Sequence, residues 1–345
     1  MRIALIVPPP PTLASGNENT TRRLAAGLAR RGHAVTRLVA GSAELVEAAQ
    51  ARDRFDLVHV YHAFRAATPR DFGGGGARPA RVITFAGSDL PGLPLAQEHA
   101  ATIGAEVARA DAAMVALQEQ RAAVEARWPE LRGRVGVVTK GVVAPTGDFD
   151  LRARMGWRDD ERLALLPAHV RAVKGNRRAV EWFADVSAAL PGARLVLLGA
   201  EIDGAYAREL RELLASTPYA WWLGALPAGA MAGCYRAADA VLNVSDYEGL
   251  SNALLEALAL GRPVVAHAVP GNREWLRDGE QALLFHDRAG FVDACLAALR
   301  REPQVAAVAA RGPAWIAAHH DPEREQDALL ALYEQALARR RAAAD

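Results

Sequence analysis

The chain of 345 residues is too long for one average domain and long enough for two, each with its own hydrophobic core. Hydrophobic residues make up 51% and charged residues 23%, a composition that indicates a globular protein and argues against disorder. Because the net charge is only +1, we expect no nucleic acid among the partners.

At the start, "MRIALIVPPPP" has an apolar run of only five residues before the prolines, which is too short for a signal sequence. No apolar segment reaches the roughly 18 residues that a membrane span needs. We therefore expect a cytoplasmic protein without an integral membrane segment, and the sequence leaves the oligomeric state open.

Apolar runs, each followed by an amphipathic helical pattern, make up the first half of the chain. The runs are continuous rather than alternating, which is typical of parallel strands covered on both faces of a sheet. In chain order they are "RIALIV", "AVTRLVA", "DLVHVYH", "RVITFAG", "AAMVAL" and "RVGVVTKG".

A second series of the same kind follows "GVVAPTGDFD" and consists of "RLALLPAHV", "ARLVLLGA", "YAWWLGAL", "AVLNVS", "RPVVAHAV" and "QALLF". The repetition predicts an α/β protein with two doubly wound, parallel-sheet (Rossmann-like) domains. Ligands bind beyond the carboxyl ends of such strands, so the two domains are expected to face each other across a cleft. We place the domains at residues 1–145 and 150–312. A helical segment follows at 313–345. One alternative is that this segment crosses back to the first domain.

The stretch "NVSDYEGLSNALLEALALGRPVV", residues 243–265, is predicted to form a strand, a loop and a helix that Gly261 ends. Glu248 lies in the loop at the carboxyl end of the strand, and Ser251 is a plausible N-cap. The free amides and the positive dipole end of a helix start suit a phosphate. The predicted phosphate site consists of Gly249, Leu250, Ser251 and Asn252.

Glu256 falls on the second turn of this helix, within "LLEALAL". A carboxylate there needs hydrogen-bond donors, and the hydroxyl groups of a ribose would serve. The alternatives are that Glu256 is a surface residue or that it pairs with Arg262.

A second strand-to-helix passage, "LLPAHVRAVKGNRRAVEWF" at residues 165–183, carries His169, Arg171 and Lys174 in its loop. Arginine binds phosphate oxygens in a bidentate manner and lysine acts as a point charge, so this loop can neutralise a diphosphate. Lys174 stands out because the chain has only two lysines. The alternative is a loop of solvated surface charges.

Strand exits in the first domain supply further candidates. Gly16, followed by Asn17, would let the backbone approach a ligand closely, or the two residues only form a turn and a helix cap. His59 and His62, in "DLVHVYHAF", either line a ligand cleft or are hydrogen-bonded histidines of the sheet.

We predict no metal site. Cys234 and Cys295 lack metal-like spacing and are expected to be buried free thiols. Asp148 and Asp150 form an Asp-x-Asp sequence, but three residues in a linker are weak evidence for metal binding. The glycine run at 73–76 lacks the Lys-Ser/Thr of a phosphate loop and is expected to be a surface loop.

An anion cradle, phosphate-binding cations and hydroxyl-binding carboxylates together describe a nucleotide-sugar site. The Glu-x7-Glu spacing of Glu248 and Glu256, with the preceding Arg/Lys loop, resembles the retaining GT-B glycosyltransferases of family four, the glycosyl transferases group 1. The resemblance covers nearly the whole chain and is strongest from residue 165 to 285. It implies a GT-B fold and turnover without a metal or any other cofactor.

The resemblance also implies residue roles. Glu248 would contact the donor sugar, and Glu256 would hold the ribose hydroxyls. Lys174 would bind the diphosphate together with Arg171, because the arginine position of the usual family pattern is occupied by His169 here. The leaving phosphate would help to deprotonate the acceptor on the same face of the sugar.

Shorter pieces are similar to two subgroups, the glycosyltransferase-1-domain-containing proteins and the selenosugar synthases of selenoneine biosynthesis. They include Gly16 and Asn17 in "GN..T..R", and Ser88 and Asp89 in "G-S/T-D". Together with His62, Ser88 and Asp89 are the acceptor-side candidates. The acceptor itself is not implied, since the "GHLR-EK" loop usual in selenosugar synthases is not intact.

The expected function is thus a glycosyltransferase of the hexosyltransferase type, with a UDP-linked sugar as donor substrate and a small molecule as acceptor. One alternative is a selenosugar or thiosugar synthase that uses selenophosphate or a similar nucleophile. Others are an epimerase or hydrolase with the same donor site, and a nucleotide-sugar-binding module without turnover.

Overall fold

The computed structural model describes residues 1–9, 16–50, 55–68 and 78–343. It divides into two compact units: the described residues from Met1 to Gly141 together with those from Pro322 onward, and the residues from Val142 to Asp321. The glycine run at 73–76 lies outside the described residues. In the described part of the chain, no helix combines the length and the apolar character that crossing a membrane requires.

The first unit is built on one parallel sheet. Its strands are β1 (Arg2–Val7), β2 (Ala34–Val39), β3 (Leu57–Tyr61), β4 (Ala80–Thr84), β5 (Ala112–Val115) and β6 (Val135–Val137). Its helices are α1 (Gly16–Arg30), α2 (Ala43–Gln50), α3 (Pro94–Glu98), α4 (Ala100–Val107), α5 (Gln118–Arg127), a 3₁₀ turn at Pro129–Leu131 and the C-terminal α14 (Pro322–Ala342). The strand order is β2-β1-β3-β4-β5-β6. Strands β3, β4 and β5 are buried along their whole length, as continuous apolar runs predict.

Helix α14 belongs to the first unit although it ends the chain. Leu329, Leu332, Tyr333 and Ala336 lie on one face of the helix and join the core that β1, β3 and β4 form. At its first turns, the buried carboxylate of Glu325 forms an ion pair with Arg23 of α1. The end of the chain thus completes the core of the first unit.

The second unit is built on another parallel sheet. Its strands are β7 (Arg162–Pro167), β8 (Ala193–Leu198), β9 (Ala220–Trp222), β10 (Ala240–Asn243), β11 (Val264–His267) and β12 (Leu283–Phe285). Its helices are α6 (Leu151–Met155), a 3₁₀ turn at Ala172–Lys174, α7 (Asn176–Ala189), α8 (Gly204–Ala215), α9 (Ala228–Ala237), α10 (Asn252–Ala259), α11 (Pro270–Arg273), α12 (Arg288–Leu299) and α13 (Pro303–His319).

The strands of the second sheet have the order β12-β11-β10-β7-β8-β9. Counted within the unit, this is the Rossmann order, in which the first strand lies beside both the second and the fourth. The prediction of two doubly wound α/β units is therefore confirmed. The order also places the switch point of the sheet between β7 and β10, where Ala164 pairs with Ala240.

The chain leaves the second unit after Asp321, later than the predicted boundary at residue 313. Pro313 lies inside α13, which continues because its face is buried. At Gly312 an added Cβ would lie 2.6 Å from the Leu258 carbonyl oxygen of α10, so the two helices approach closely there. Burial of this face offsets the roughly 3 kcal/mol that a proline inside a helix costs.

His59, on β3, is wholly buried and hydrogen-bonded at both ring nitrogens. Nδ1 lies 2.7 Å from the Tyr333 hydroxyl of α14, and Nε2 lies 2.6 Å from the Thr84 hydroxyl of β4. Burial lowers the pKa of His59 from 6.5 to about 3. Of the two interpretations of His59, the structure supports a hydrogen-bonded histidine of the sheet.

This burial makes the stability of the first unit depend on pH. His59 takes up a proton near pH 6.5 in the unfolded chain and only near pH 3 in the folded protein, so its contribution is complete above pH 6.5 and is lost as the pH falls. We expect the cost of His59→Gln, measured by urea unfolding, to be about 2 kcal/mol smaller at about pH 5 than at about pH 8. His286→Gln, at an exposed position, is the control. A cost that does not change with pH contradicts this assignment.

Candidate functional site

The site lies at the carboxyl ends of β7 and β10, the switch point of the second sheet. In doubly wound sheets the loops that leave these two strands diverge and open a crevice between them. The loop after β7 contains His169, Arg171 and Lys174, and the loop after β10 contains Glu248. The topology thus brings together two motifs that are far apart in the sequence.

The two loops touch through their backbones. The Asp246 amide donates a hydrogen bond to the Val173 carbonyl over 2.9 Å. Gly175 has φ +63°, and a Cβ there would lie 2.4 Å from the Val244 carbonyl oxygen. Only glycine combines this left-handed backbone with such a close approach. Gly175 therefore allows the loop after β7 to lie against the loop after β10.

Arg178, on the first turn of α7, fastens the same contact. Its Nη2 donates to the Val244 carbonyl over 2.5 Å, and its Nη1 lies 2.6 Å from Asp246 Oδ1. The side chain also lies over the Trp182 ring, with 5.4 Å between the guanidinium carbon and the ring centroid. Sequence reasoning missed Arg178 because one arginine among many gives no signal of its partner.

Lys174 and Glu248 meet where the loops touch. Lys174 Nζ lies 2.5 Å from Glu248 Oε1, and the Glu248 residue is only 7% exposed. The same oxygen accepts hydrogen bonds from Asn243 Nδ2 over 2.8 Å and from Ser245 Oγ over 2.6 Å. Burial by itself raises the pKa of Glu248, but Lys174, Ser245 and Asn243 outweigh it and hold the pKa below 4.5. Glu248 is therefore a buried carboxylate stabilised in its charged form.

The second carboxylate oxygen of Glu248 is different. All three hydrogen bonds go to Oε1, and within the described ranges no donor of the protein lies on Oε2. An ionised carboxylate can accept several hydrogen bonds on each oxygen. Oε2 is therefore ready to accept a hydrogen bond from a ligand.

Helix α10 begins just beyond Glu248. Ser251 occupies the predicted N-cap position, but its side chain makes no capping hydrogen bond. The first-turn amides, including that of Asn252, have no intrahelical acceptor and lie at the positive end of the helix dipole. Gly249 and Leu250 lie in the loop before this helix start, and such a geometry suits an anion.

Glu256 lies one turn further along α10 and is half-buried. Its Oε2 accepts a hydrogen bond from the Tyr235 hydroxyl of α9 over 2.8 Å. Burial, and then the negative charge of Glu256, raise the pKa of Tyr235 well above 10. Arg262, the alternative partner of Glu256 in the sequence, donates from its guanidinium to the Arg236 carbonyl over 3.3 Å. Tyr235 thus orients the Glu256 carboxylate, a partner that the sequence did not indicate.

His169 and Arg171 lie on the loop after β7 with Lys174. The Ala200 amide donates to His169 Nδ1 over 3.1 Å, which connects this loop to the end of β8. Because Nδ1 accepts this bond, the neutral ring carries its proton on Nε2. The Arg171 amide donates to Asn176 Oδ1 over 3.3 Å, and Arg171 precedes the 3₁₀ turn that ends at Lys174.

The remaining candidates lie in the first unit. Gly16 and Asn17 begin α1, and the Thr20 hydroxyl donates to the Gly16 carbonyl over 2.8 Å. His62 follows β3, while Ser88 and Asp89 follow β4, so the structure brings these three together at one sheet edge.

His62 is held between Ser88 and Asp89. Its Nε2 lies 3.0 Å from Ser88 Oγ and its Nδ1 lies 3.3 Å from Asp89 Oδ2. The buried Asp89 carboxylate also accepts from the Ala63 amide over 2.7 Å and from the Ala86 amide over 2.8 Å. His62 has φ +99°, a strained conformation for a residue with a side chain. The surrounding hydrogen bonds therefore impose one orientation on this histidine.

One of the candidate metal-binding residues has another role. Asp150 caps α6, because its side chain accepts from the Ala153 amide over 2.9 Å. Cys234 and Cys295 are free and buried, as predicted. Among the residues that the structure describes, no three histidine, cysteine or acidic side chains lie close enough to hold a metal ion.

Comparison with solved structures defines the fold. Sucrose-phosphate synthase from Thermosynechococcus elongatus superposes on 98% of this chain and 99% of its own, with a TM-score of 0.80 and 20% identity. HepE from Anabaena, solved in complex with UDP-glucose, superposes on 97% of this chain and 100% of its own, with a TM-score of 0.75 and 16% identity. The protein has the GT-B fold.

Sequence comparison adds a similarity to a family of glycosyltransferases. The model of the glycosyl transferases group 1 family matches residues 164–301, the span that contains the site. Glycosyltransferase 1 domain-containing protein 1 of Xenopus tropicalis is 24% identical over 91% of this chain and 92% of its own length. The chain is thus similar to glycosyl transferases group 1 over residues 164–301, and to a glycosyltransferase 1 domain-containing protein over most of its length. The resemblance to selenosugar synthases stays a prediction.

Proposed function

We propose that the protein transfers a sugar from a UDP-linked donor to a small-molecule acceptor, with retention at the anomeric carbon. The observation that carries this proposal is the pairing of Lys174 with Glu248 at the switch point of the second sheet. There, the Lys174 ammonium group lies beside the start of α10, and so does Glu248 Oε2, which has no partner within the described part of the chain. The family match over 164–301 and the UDP-glucose bound to HepE support the same reading.

Each part of a UDP sugar has a matching group in the second unit. An ammonium group has three donors, so Lys174 can bind the diphosphate and keep its bond to Glu248. The amides from Gly249 to Asn252 bind phosphate oxygens. Glu248 Oε2 accepts from a sugar hydroxyl, and Glu256 accepts from the ribose hydroxyls.

Four further residues are candidates for contacts with the donor. We assign Arg171 to the diphosphate beside Lys174, and we assign the His169 Nε2–H group to a donor oxygen. Gly16 and Asn17, at the start of α1 in the first unit, stay donor-binding candidates from the sequence. The roles of Arg171 and His169 rest on the family resemblance.

The chemical step breaks the bond between the anomeric carbon and the phosphate oxygen. Negative charge grows on the leaving diphosphate, and Lys174 with the α10 amides stabilises that charge. The acceptor oxygen forms its bond to the anomeric carbon on the face from which the phosphate leaves, and its proton passes to that phosphate. Because protein cations take the charge, we propose that the reaction needs no divalent metal.

We place acceptor recognition at His62, Ser88 and Asp89. Ser88 is only partly buried, and His62 orients its hydroxyl from the protein side. A hydroxyl fixed in this way can donate to or accept from an acceptor group.

Binding measurements test the donor assignments without knowledge of the acceptor. We expect UDP to bind more tightly than GDP or ADP, and to stabilise the protein by about 2.7 kcal/mol at about 100 times its dissociation constant. Glu256→Ala should weaken UDP and UDP-glucose by the same factor, about tenfold, since both carry the ribose. Glu248→Gln should weaken UDP-glucose more than UDP, since only the former carries the sugar.

Isothermal titration calorimetry measures both ligands on each variant, with circular dichroism as the check on folding. A wild-type protein that binds neither UDP nor UDP-glucose refutes the proposed function. If Glu248→Gln weakened both ligands equally, Glu248 would not contact the sugar.

Donor turnover tests the metal-free mechanism. We expect release of UDP, measured with small alcohols, selenophosphate and thiophosphate as acceptors, to survive EDTA, and Lys174→Ala to lower kcat about 10²-fold. A strict requirement for manganese or magnesium, lost on substitution of Asp148 or Asp150, would contradict it. Turnover only with selenophosphate or thiophosphate would identify a selenosugar or thiosugar synthase.

A further inference from the structure

Helix α11, which follows β11, lies directly behind Glu248. Asn272, in this short helix, is wholly buried. Its Nδ2 donates to the His267 carbonyl over 2.9 Å and to Asn243 Oδ1 over 3.1 Å. Asn243 Nδ2 in turn donates to Glu248 Oε1 over 2.8 Å. Two amides therefore connect α11 to the carboxylate of the candidate site.

The chemistry of the groups determines the direction of this chain. The His267 carbonyl can only accept, so Asn272 must present its Nδ2 side. Asn272 Nδ2 then requires an acceptor, and Asn243 must turn its Oδ1 toward it. The remaining donor side of Asn243 consequently faces Glu248 Oε1. Asn272 thus determines which group Asn243 offers to Glu248.

The His267 ring supports the same loop from the other side. Its Nδ1 lies 2.9 Å from the Ser245 carbonyl oxygen, and the ring stacks on Phe285 with 5.2 Å between centroids. Ser245 is the second uncharged donor to Glu248 Oε1. Both neutral donors to that oxygen are therefore positioned by the segment from β11 to α11.

The backbone of α11 adds a steric constraint. A Cβ at Gly271 would lie 1.9 Å from the Glu248 carbonyl oxygen and 3.1 Å from that of Gly249. No side chain fits there without a shift of the Glu248 backbone. The absence of a side chain at Gly271 allows α11 to define the position of the Glu248 backbone.

The buried side chain of Asn272 has a free-energy cost, and a role in stabilising the fold does not by itself explain why this residue is present. Its Oδ1 is buried and has no hydrogen-bond partner among the residues that the structure describes. A buried polar atom of this kind is destabilising, and an apolar residue of similar shape would avoid the cost. The gain that offsets it is the fixed orientation of Asn243.

We infer that Gly271 and Asn272 are positioning residues for the donor sugar: they saturate and fix Glu248 Oε1 so that Oε2 faces a hydroxyl of the sugar. The inference rests on the proposed function and extends it from the residues that touch the donor to a segment that does not. Its consequence is selective, because the sugar half of a nucleotide sugar depends on α11 and the nucleotide half does not.

The test is the ratio of the UDP dissociation constant to that of UDP-glucose, measured by calorimetry. We expect Asn272→Ala to lower this ratio about fivefold while UDP itself binds as in the wild type. In the Glu248→Gln background, where the sugar contact is already gone, the same substitution should change the ratio less than about twofold. Arg273→Ala, an exposed neighbour on α11, is the matched control and should leave both affinities unchanged.

Gly271→Ala provides a second route if Asn272→Ala proves too unstable to study, because it shifts the Glu248 backbone and keeps both amides. Because the Glu248 carbonyl and the Gly249 amide belong to one peptide group, Gly271→Ala should weaken UDP as well, but UDP-glucose more, and so still lower the ratio. Equal loss of UDP and UDP-glucose affinity in these variants, or an unchanged ratio, would overturn the inference and reduce α11 to a structural element. A wild-type protein that binds neither ligand would refute the proposed function instead, so the two failures are distinguishable.

Discussion

The ion pair between Lys174 and Glu248 is the interaction on which the second unit's binding edge depends. A carboxylate that is 7% exposed is costly unless it is paired and hydrogen-bonded. Lys174, Asn243 and Ser245 all donate to the same oxygen of Glu248. The loop geometry serves this arrangement, since Lys174 reaches Glu248 only when the loops after β7 and β10 lie in contact.

Sheet topology supplies the first condition for this contact, and glycine supplies the second. Lys174 and Glu248 are 74 residues apart in the chain, and only a sheet order that places β7 beside β10 brings them together. Gly175 then lets one loop approach the other, and Gly271 lets α11 approach from behind. The first unit contains a similar arrangement. There, the buried Asp89 carboxylate joins the loops after β3 and β4, because it accepts hydrogen bonds from one backbone amide of each loop. In each unit a buried carboxylate organises the loops at a strand edge.

Local patterns in the sequence predicted most of the fold. They also indicated the two loops that carry the candidate residues, but not the contacts between these loops. Continuous apolar runs indicated all the strands of both sheets, and the loops after two of them contained Lys174 and Glu248. The pairing of these two residues could not be predicted, because strand order is a tertiary property that periodicity does not contain. Asn243 ends the apolar run "AVLN", and a polar residue there was a signal that could have been used. Asn272 acts through orientation, which no local pattern reveals.

A double-mutant cycle on the Lys174–Glu248 pair tests the central claim most directly. The account predicts that Lys174→Met lowers the free energy of unfolding by about 3 kcal/mol, because it leaves a buried carboxylate without its cation. Adding Glu248→Gln should restore much of that loss, with a coupling energy of about 2 kcal/mol between the two positions. Urea unfolding of the wild type, both single variants and the double variant gives the cycle. Additive effects, with a coupling energy below about 0.5 kcal/mol, would show that the loops do not depend on this pair.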